Sequence, residues 1–188
     1  MTAIYALCDI ELLSKKNCSL SQYIKILSKY NVIYIQYRDK VNTLEIQKQN
    51  ILTLKQLTSI PIIINDKLEL LEFADGLHLG QDDIQNLYNQ SKDITLKLIR
   101  KKYHNKIIGL STHNELEILE ANSLDLDYIG LGAYRATTTK DDVTNILGKN
   151  ISYLAKISTH KVGAIGGVKV DDCIENIAFN VIGSDIFN

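Results

Sequence analysis

The stretch PIIINDKLELLEFADGLHLGQDD, residues 61–83, holds one complete unit of the fold. Pro61 opens a short apolar run, Pro61-Ile62-Ile63-Ile64-Asn65, that reads as a strand. Lys67 to Phe73 reads as a short helix, and Gly76 to Leu79 as the next strand. Each strand runs directly into a polar cluster, Asn65-Asp66 after the first and Gly80-Gln81-Asp82-Asp83 after the second.

The same alternation extends in both directions. Towards the N-terminus, Ala3 to Cys8 and Val32 to Gln36 read as strands. Between them Ser19 with Gln22 forms a capping-box signal ahead of a helix with Leu20, Tyr23, Ile24, Leu27 and Tyr30 on one face. Asn42 and Glu45 signal the start of another helix, striped by Leu44, Ile51, Leu54 and Leu57. Towards the C-terminus the strands are Lys106 to Leu110, Tyr128 to Gly132, Lys161 to Ile165 and Val181-Ile182. Helical patterns cover Ile94 to Tyr103, a segment from Thr112 and Glu115 to Asn122, Ile151 to Ile157, and a segment from Asp172 and Glu175 to Phe179. Alternating strands and helices demand a parallel sheet. An open, doubly wound sheet wants a glycine-rich first turn, and Asp9-Ile10-Glu11-Leu12 has no glycine. Eight units instead predict a (β/α)8 TIM barrel spanning residues 1–188 as a single domain. It would be compact, since about 250 residues is typical. The sequence stops just after the eighth strand, so the final helix is expected to be missing, with a homodimer interface covering the wall left open.

Composition narrows the function. Apolar residues make up 45% of the chain, ample for a core. Lys and Arg number 21 against 22 Asp and Glu, so there is no basic field to attract nucleic acid. No segment approaches the ~20 apolar residues of a membrane helix, and the N-terminus lacks the basic region of a signal peptide. Cys8, Cys18 and Cys173 are too sparse for a disulfide framework or a zinc site. A cytoplasmic, soluble protein is expected.

Position is the informative feature. Polar clusters follow the C-terminal ends of six strands, which converge on one face of a barrel, where barrel enzymes place their chemistry. Arg38 and Lys40, two apart, would share a face if the strand continued through them, and could clamp a phosphate or pyrophosphate. Asn65 can donate to a phosphate oxygen. Asp66 and Asp83, on neighbouring strand ends with no His or Cys cluster, suit Mg²⁺ shared with substrate phosphates. Ala136 to Lys140 offers hydroxyls and an ammonium in a long loop, and Gly166-Gly167 exposes backbone N–H groups at a turn. Two anion sites are implied, one with metal and one without. His113 is a candidate general base, although its setting suits a local hydrogen bond at a helix start. His78 alternates with Leu77 and Leu79, which turns it to the opposite face and into a structural role inside the barrel. His104 and His160 read as surface or strand-edge residues.

The segments QYRDK (36–40), IIINDKLELLEFADGLHLGQDD (62–83), IGLSTHNELE (108–117), DYIGLGAYRATTTKDD (127–142) and VGAIGGV (162–168) resemble the thiamine phosphate synthase family, which includes a thiazole tautomerase branch. The resemblance implies a TIM-barrel transferase that joins hydroxymethylpyrimidine pyrophosphate to a thiazole phosphate, releases pyrophosphate and requires Mg²⁺. Carried over by motif, Gln36 would bind the pyrimidine, and Arg38, Lys40, Asn65 and Lys140 the pyrophosphate. Asp66 and Asp83 would ligate Mg²⁺. Ser111 would contact the pyrimidine or the reacting centre, while Thr137, Thr139 and the Gly167 N–H would hold the thiazole phosphate. Ser111, Lys140 and Arg38 are the residues assigned to catalysis on this basis. The sequence departs from the family at Gly132 to Lys140, which lacks the family's two prolines, and at the strand-eight end, where Ser184 is the surviving candidate phosphate contact. The alternatives are a tautomerase using His113 as its proton-transfer group, or a non-catalytic phosphate-binding barrel.

Overall fold

A computed structural model describes residues 2–136 and 146–188. The strands are β1 (Ile4–Asp9), β2 (Val32–Arg38), β3 (Ile62–Asn65), β4 (Gly76–Leu79), β5 (Ile107–Thr112), β6 (Tyr128–Leu131), β7 (Lys161–Ala164) and β8 (Phe179–Ile182). They pair in sequence order, all parallel, and β8 closes onto β1 to complete a barrel. The (β/α)8 barrel read from the sequence is therefore the observed fold.

Alternation along each strand separates two apolar layers. One set of side chains packs under the helices; the other fills the barrel axis, where Tyr5, Leu7, Ile63, Tyr128, Phe179 and Val181 form a single cluster. The rings meet edge-on, with Tyr5–Tyr128 and Tyr128–Phe179 centroids both 5.6 Å apart. Such ring pairs add about 0.5–1.5 kcal/mol each beyond the area they bury. Room for these rings comes from neighbouring strands. A Cβ on Gly109 would lie 2.1 Å from Tyr128 Cζ, and one on Gly163 would lie 2.1 Å from Phe179 Cε2. Small residues on one strand and large ones on the next thus interlock along a narrow barrel axis.

The helices are α1 (Ile10–Lys15), α2 (Leu20–Leu27), α3 (Leu44–Leu57), α4 (Gln81–Asn86), α5 (Lys92–Lys102), α6 (Glu115–Ala121) and α7 (Asn150–Ile157). The Ser19–Gln22 capping box forms in full. Other starts shift by a residue or two: α3 is capped by Thr43 and α6 by Asn114. Two short helices, α1 and α4, follow β1 and β4, where the sequence reads as a turn and a polar cluster. Leu68–Phe73 is a 3-10 helix, and a second 3-10 turn, Ser184–Phe187, follows β8.

The segment between β7 and β8 corrects the sequence reading. The helix expected from Asp172 to Phe179 is absent; residues 172–178 are coil and turn, and Phe179 opens β8. The Asp172 carboxylate accepts from Arg135 Nη1 and Nη2 (2.6 and 2.9 Å) and from the Lys169 N–H (2.7 Å), so it caps no helix. Asn176 adopts a positive φ of 63°. This coil still clads the wall. Val168, Val170, Ile174 and Ile177 join the outer core, and Asn180 Nδ2 donates to the carbonyls of Asp172 (2.8 Å) and Lys169 (3.2 Å). Val162, Ala164, Asn180 and Ile182 on the strands beneath this coil are all buried. No helix of the described residues is long and apolar enough to cross a membrane.

Candidate active site

The site residues converge because parallel strands share a direction, so every strand's C-terminal end opens on the same rim. β2 contributes Gln36 and Arg38. Gln36 is buried and points into the barrel, where its Nε2 donates to the Tyr5 hydroxyl at 2.9 Å. Arg38 ends β2 and forms an ion pair with Asp9 at the end of neighbouring β1. Asp9 Oδ1 also accepts the Leu12 N–H at 3.0 Å, capping α1. Asp9 carried no signal in the sequence beyond its position at a strand end. The strand stops at Arg38, so Lys40 lies beyond it, exposed, in a turn shaped by Asp39. Burial alone would raise the Asp39 carboxyl. Hydrogen bonds from the Tyr37 hydroxyl (2.6 Å), Asn42 and Val41 outweigh it and hold the group below its ordinary value.

At the end of β3, the Asn65 side-chain amide donates to the Asp66 carboxylate. Asp66 turns the chain with a φ of 60°, and its N–H donates to the His78 carbonyl at 3.0 Å, tying β3 to β4. After β4, Gly80 begins α4, and Asp83 folds back over that start: a Cβ on Gly80 would meet Asp83 Oδ2 at 2.4 Å. Asp83 itself is exposed. Asp66 therefore follows β3 directly, and Asp83 lies in the first turn of α4 after the adjacent β4. Among the described residues no group of three or more His, Cys, Asp or Glu gathers as a metal cage.

Ser111 lies near the end of β5, its Oγ 2.9 Å from His78 Nε2. Its carbonyl accepts from Gln81 Nε2 at 2.6 Å. Gln81 is held in turn by Lys92, which also pairs with Glu120 at 2.6 Å. Sequence reading placed Gln81 only within a polar cluster; here it locks α4 onto the β5 end. His78 faces the barrel interior, as its alternation with Leu77 and Leu79 implied, with Nδ1 3.0 Å from the Tyr128 hydroxyl. His113 sits on the rim, but its Nδ1 lies 2.9 Å from Glu117 Oε2, four residues on.

Gly166 and Gly167 both take positive φ (84° and 62°) and pack against the segment after β6. A Cβ on Gly166 would lie 2.5 Å from the Ala133 Cβ. Tyr134 and Arg135 N–H donate to the Ile165 and Gly166 carbonyls, both at 2.8 Å, and the Arg135 guanidinium donates to the Gly167 carbonyl at 3.0 Å. The Arg135 guanidinium beside Asp172 holds that carboxyl below its ordinary value. The β6 and β7 loops are thus clasped by a residue, Arg135, that sequence reading did not single out. Ser184 opens the 3-10 turn after β8. Thr137, Thr139 and Lys140 lie outside the described residues.

A family model described as thiamine monophosphate synthase matches residues 4–184. A thiamine-phosphate synthase of Staphylococcus epidermidis is 32% identical over 176 residues, covering 88% of this chain and 78% of that protein. One from Lawsonia intracellularis is 36% identical over 174 residues, with 88% and 74% covered. Among solved structures, a thiamine phosphate pyrophosphorylase from Pyrococcus furiosus superposes with a TM-score of 0.73 at 19% identity, covering 97% of this chain and 85% of that one. A tryptophan synthase alpha-subunit from the same organism reaches 0.67 at 12% identity, with 98% and 87% covered. At such low identities the structural likeness speaks to the fold alone.

Proposed function

The chain belongs to the thiamine monophosphate synthase family, and from that premise we propose how its barrel rim serves the reaction. Its activity is that of a thiamine-phosphate synthase, a transferase of thiamine biosynthesis. The substrates are hydroxymethylpyrimidine pyrophosphate and a thiazole phosphate, and pyrophosphate is the leaving group. The carrying observation is that Arg38, Asn65, Asp66, Asp83, Ser111 and Gly167 all leave the C-terminal ends of strands of one closed barrel.

Arg38, Lys40, Asn65 and Lys140 hold the pyrophosphate. The Asp9 carboxylate supports this by fixing the Arg38 guanidinium at the rim. Gln36 and Ser111 meet the pyrimidine. Thr137, Thr139, Ser184 and the Gly167 N–H hold the thiazole phosphate; Gly167 suits this because its loop is braced by Arg135. Asp66 after β3 and Asp83 in the first turn of α4 after β4 supply oxygen donors only, which suits Mg²⁺, a hard ion that keeps open positions for substrate phosphates. Bound there, Mg²⁺ would neutralise negative charge on the pyrophosphate. The bond from the pyrimidine methylene carbon to pyrophosphate oxygen breaks, its electron pair leaving with pyrophosphate, and the thiazole nitrogen supplies the pair that forms the new C–N bond. The protein's own cations stabilise the departing charge, so no side-chain nucleophile is required. The reaction belongs in the cytoplasm. The His113 Nδ1 lies against Glu117 Oε2 at the start of α6, the local contact expected of its helix-start setting.

The test is to incubate the purified protein with both substrates and Mg²⁺. Thiamine phosphate and pyrophosphate should appear in equal amounts, and chelation with EDTA should stop both. No product with Mg²⁺ present overturns the substrate assignment; product undiminished by EDTA overturns the metal.

A further inference from the structure

We propose that Tyr5, Tyr128 and His78 are positioning residues that fix which hydrogen-bonding atoms Gln36 and Ser111 present to the pyrimidine, an inference that rests on the synthase reading above. Four contacts run in series through the barrel axis. Gln36 Nε2 donates to the Tyr5 hydroxyl (2.9 Å); the Tyr5 and Tyr128 hydroxyls are 2.8 Å apart; the Tyr128 hydroxyl lies 3.0 Å from His78 Nδ1; and His78 Nε2 lies 2.9 Å from Ser111 Oγ. The five residues come from five strands, β2, β1, β6, β4 and β5, so the chain of contacts links distant parts of the rim beneath its surface.

In the proposed direction the Tyr5 oxygen accepts from the amide and its single proton is turned toward Tyr128; the reverse, Tyr128 donating to Tyr5, would put the His78 proton on Nδ1 instead. The Tyr128 proton then goes to His78 Nδ1, which needs a lone pair there and therefore carries its proton on Nε2. Nε2–H donates to Ser111 Oγ. The Ser111 hydroxyl keeps its own proton to donate, and Gln36 keeps Oε1 to accept. The two ends of the series thus offer one donor and one acceptor, which complements a nitrogen heterocycle offering one ring lone pair and one exocyclic N–H.

Two features show that the hydroxyls do more than fill space. Phenylalanine at positions 5 and 128 would fill the same volume without burying polar atoms, which cost free energy unless paired. The phenols also stay protonated, because burial pushes both well above their ordinary value.

A double-mutant cycle tests the proposal. Tyr128→Phe keeps the ring and removes the central link. It should lower kcat/KM for the pyrimidine pyrophosphate about thirtyfold and leave KM for the thiazole phosphate within about twofold. In a Ser111→Ala background the same change should cost less than about threefold, because the link acts through the missing hydroxyl. Losses that multiply in full, or that fall equally on both substrates, overturn the proposal. If Tyr128→Phe does not fold, ¹⁵N NMR of the His78 ring in the unmutated protein decides: an Nε2-protonated tautomer is expected, and an Nδ1-protonated one overturns the proposal. Absence of product from the unmutated protein removes the synthase reading separately, and the tautomer then judges the series alone.

Discussion

Carboxylates line both rims of this barrel, but they are engaged differently. On the N-terminal rim, Asp75 precedes β4 and Asp127 precedes β6, and each serves the sheet. The Asp75 carboxylate accepts the Ile62 N–H at 2.9 Å and pairs with Lys55. The Asp127 carboxylate accepts the Ile108 N–H at 2.7 Å and pairs with Arg100 at 2.8 Å. Both finish a hydrogen-bond ladder that would otherwise end on an unpaired donor. On the C-terminal rim, Asp9 and Asp39 shape loop starts, whereas Asp66 follows β3 and Asp83 lies in the first turn of α4 after β4. An acid before a strand completes the sheet; an acid after one either builds the rim or faces what enters it.

The sharpest way to break this division is to remove a charge at each end. Asp83→Asn should lower turnover by about a hundredfold to a thousandfold, the scale for losing one preorganised electrostatic contact. Because Asp83 is exposed, its stability should move by less than about 0.5 kcal/mol. A large fall in melting temperature would place Asp83 with the acids of the other rim. Asp127→Ala should do the reverse. It strands the Ile108 N–H and costs about 1–3 kcal/mol, a fall of roughly 5 °C in Tm at this chain length, with kcat of the folded protein unchanged. A kcat loss beyond about threefold would dissolve the contrast.

The smallest effect sharpens the comparison within the C-terminal rim. The Arg135 guanidinium depresses the Asp172 carboxyl, so its contribution is full above the ordinary carboxylate value of about 4 and is lost as pH falls through the depressed folded value. The unmutated protein should be the more stable at neutral pH. The gap to Asp172→Asn should close progressively below about pH 4. Denaturant titrations at stepped pH would show it, and a gap constant down to pH 2 would mean that the carboxylate charge is not what clasps the two loops.

How legible these features were depends on how far apart the partners lie. The strands could be read because each carries its own apolar run, and the polar strand ends followed from them. Alternation alone turned His78 inward, yet its partners Ser111 and Tyr128 lie 33 and 50 residues away and carried no local mark. The Arg38–Asp9 pair, 29 residues apart, was hidden for the same reason. The expected helix at Asp172 failed in the opposite way. Asp172 followed by Glu175 has the spacing of a helix start, but a partner 37 residues earlier, Arg135, takes the carboxylate. Local pattern fixed the elements, and distant pairing decided what the polar groups do.

The aromatic layer along the axis has one further consequence. Tyr5 and Tyr128 lie in the N-terminal halves of their strands, and with Phe179 they stop the barrel from below. The barrel axis is therefore a stopper rather than a conduit, and whatever the C-terminal rim receives has no passage through the ring layer to the far end.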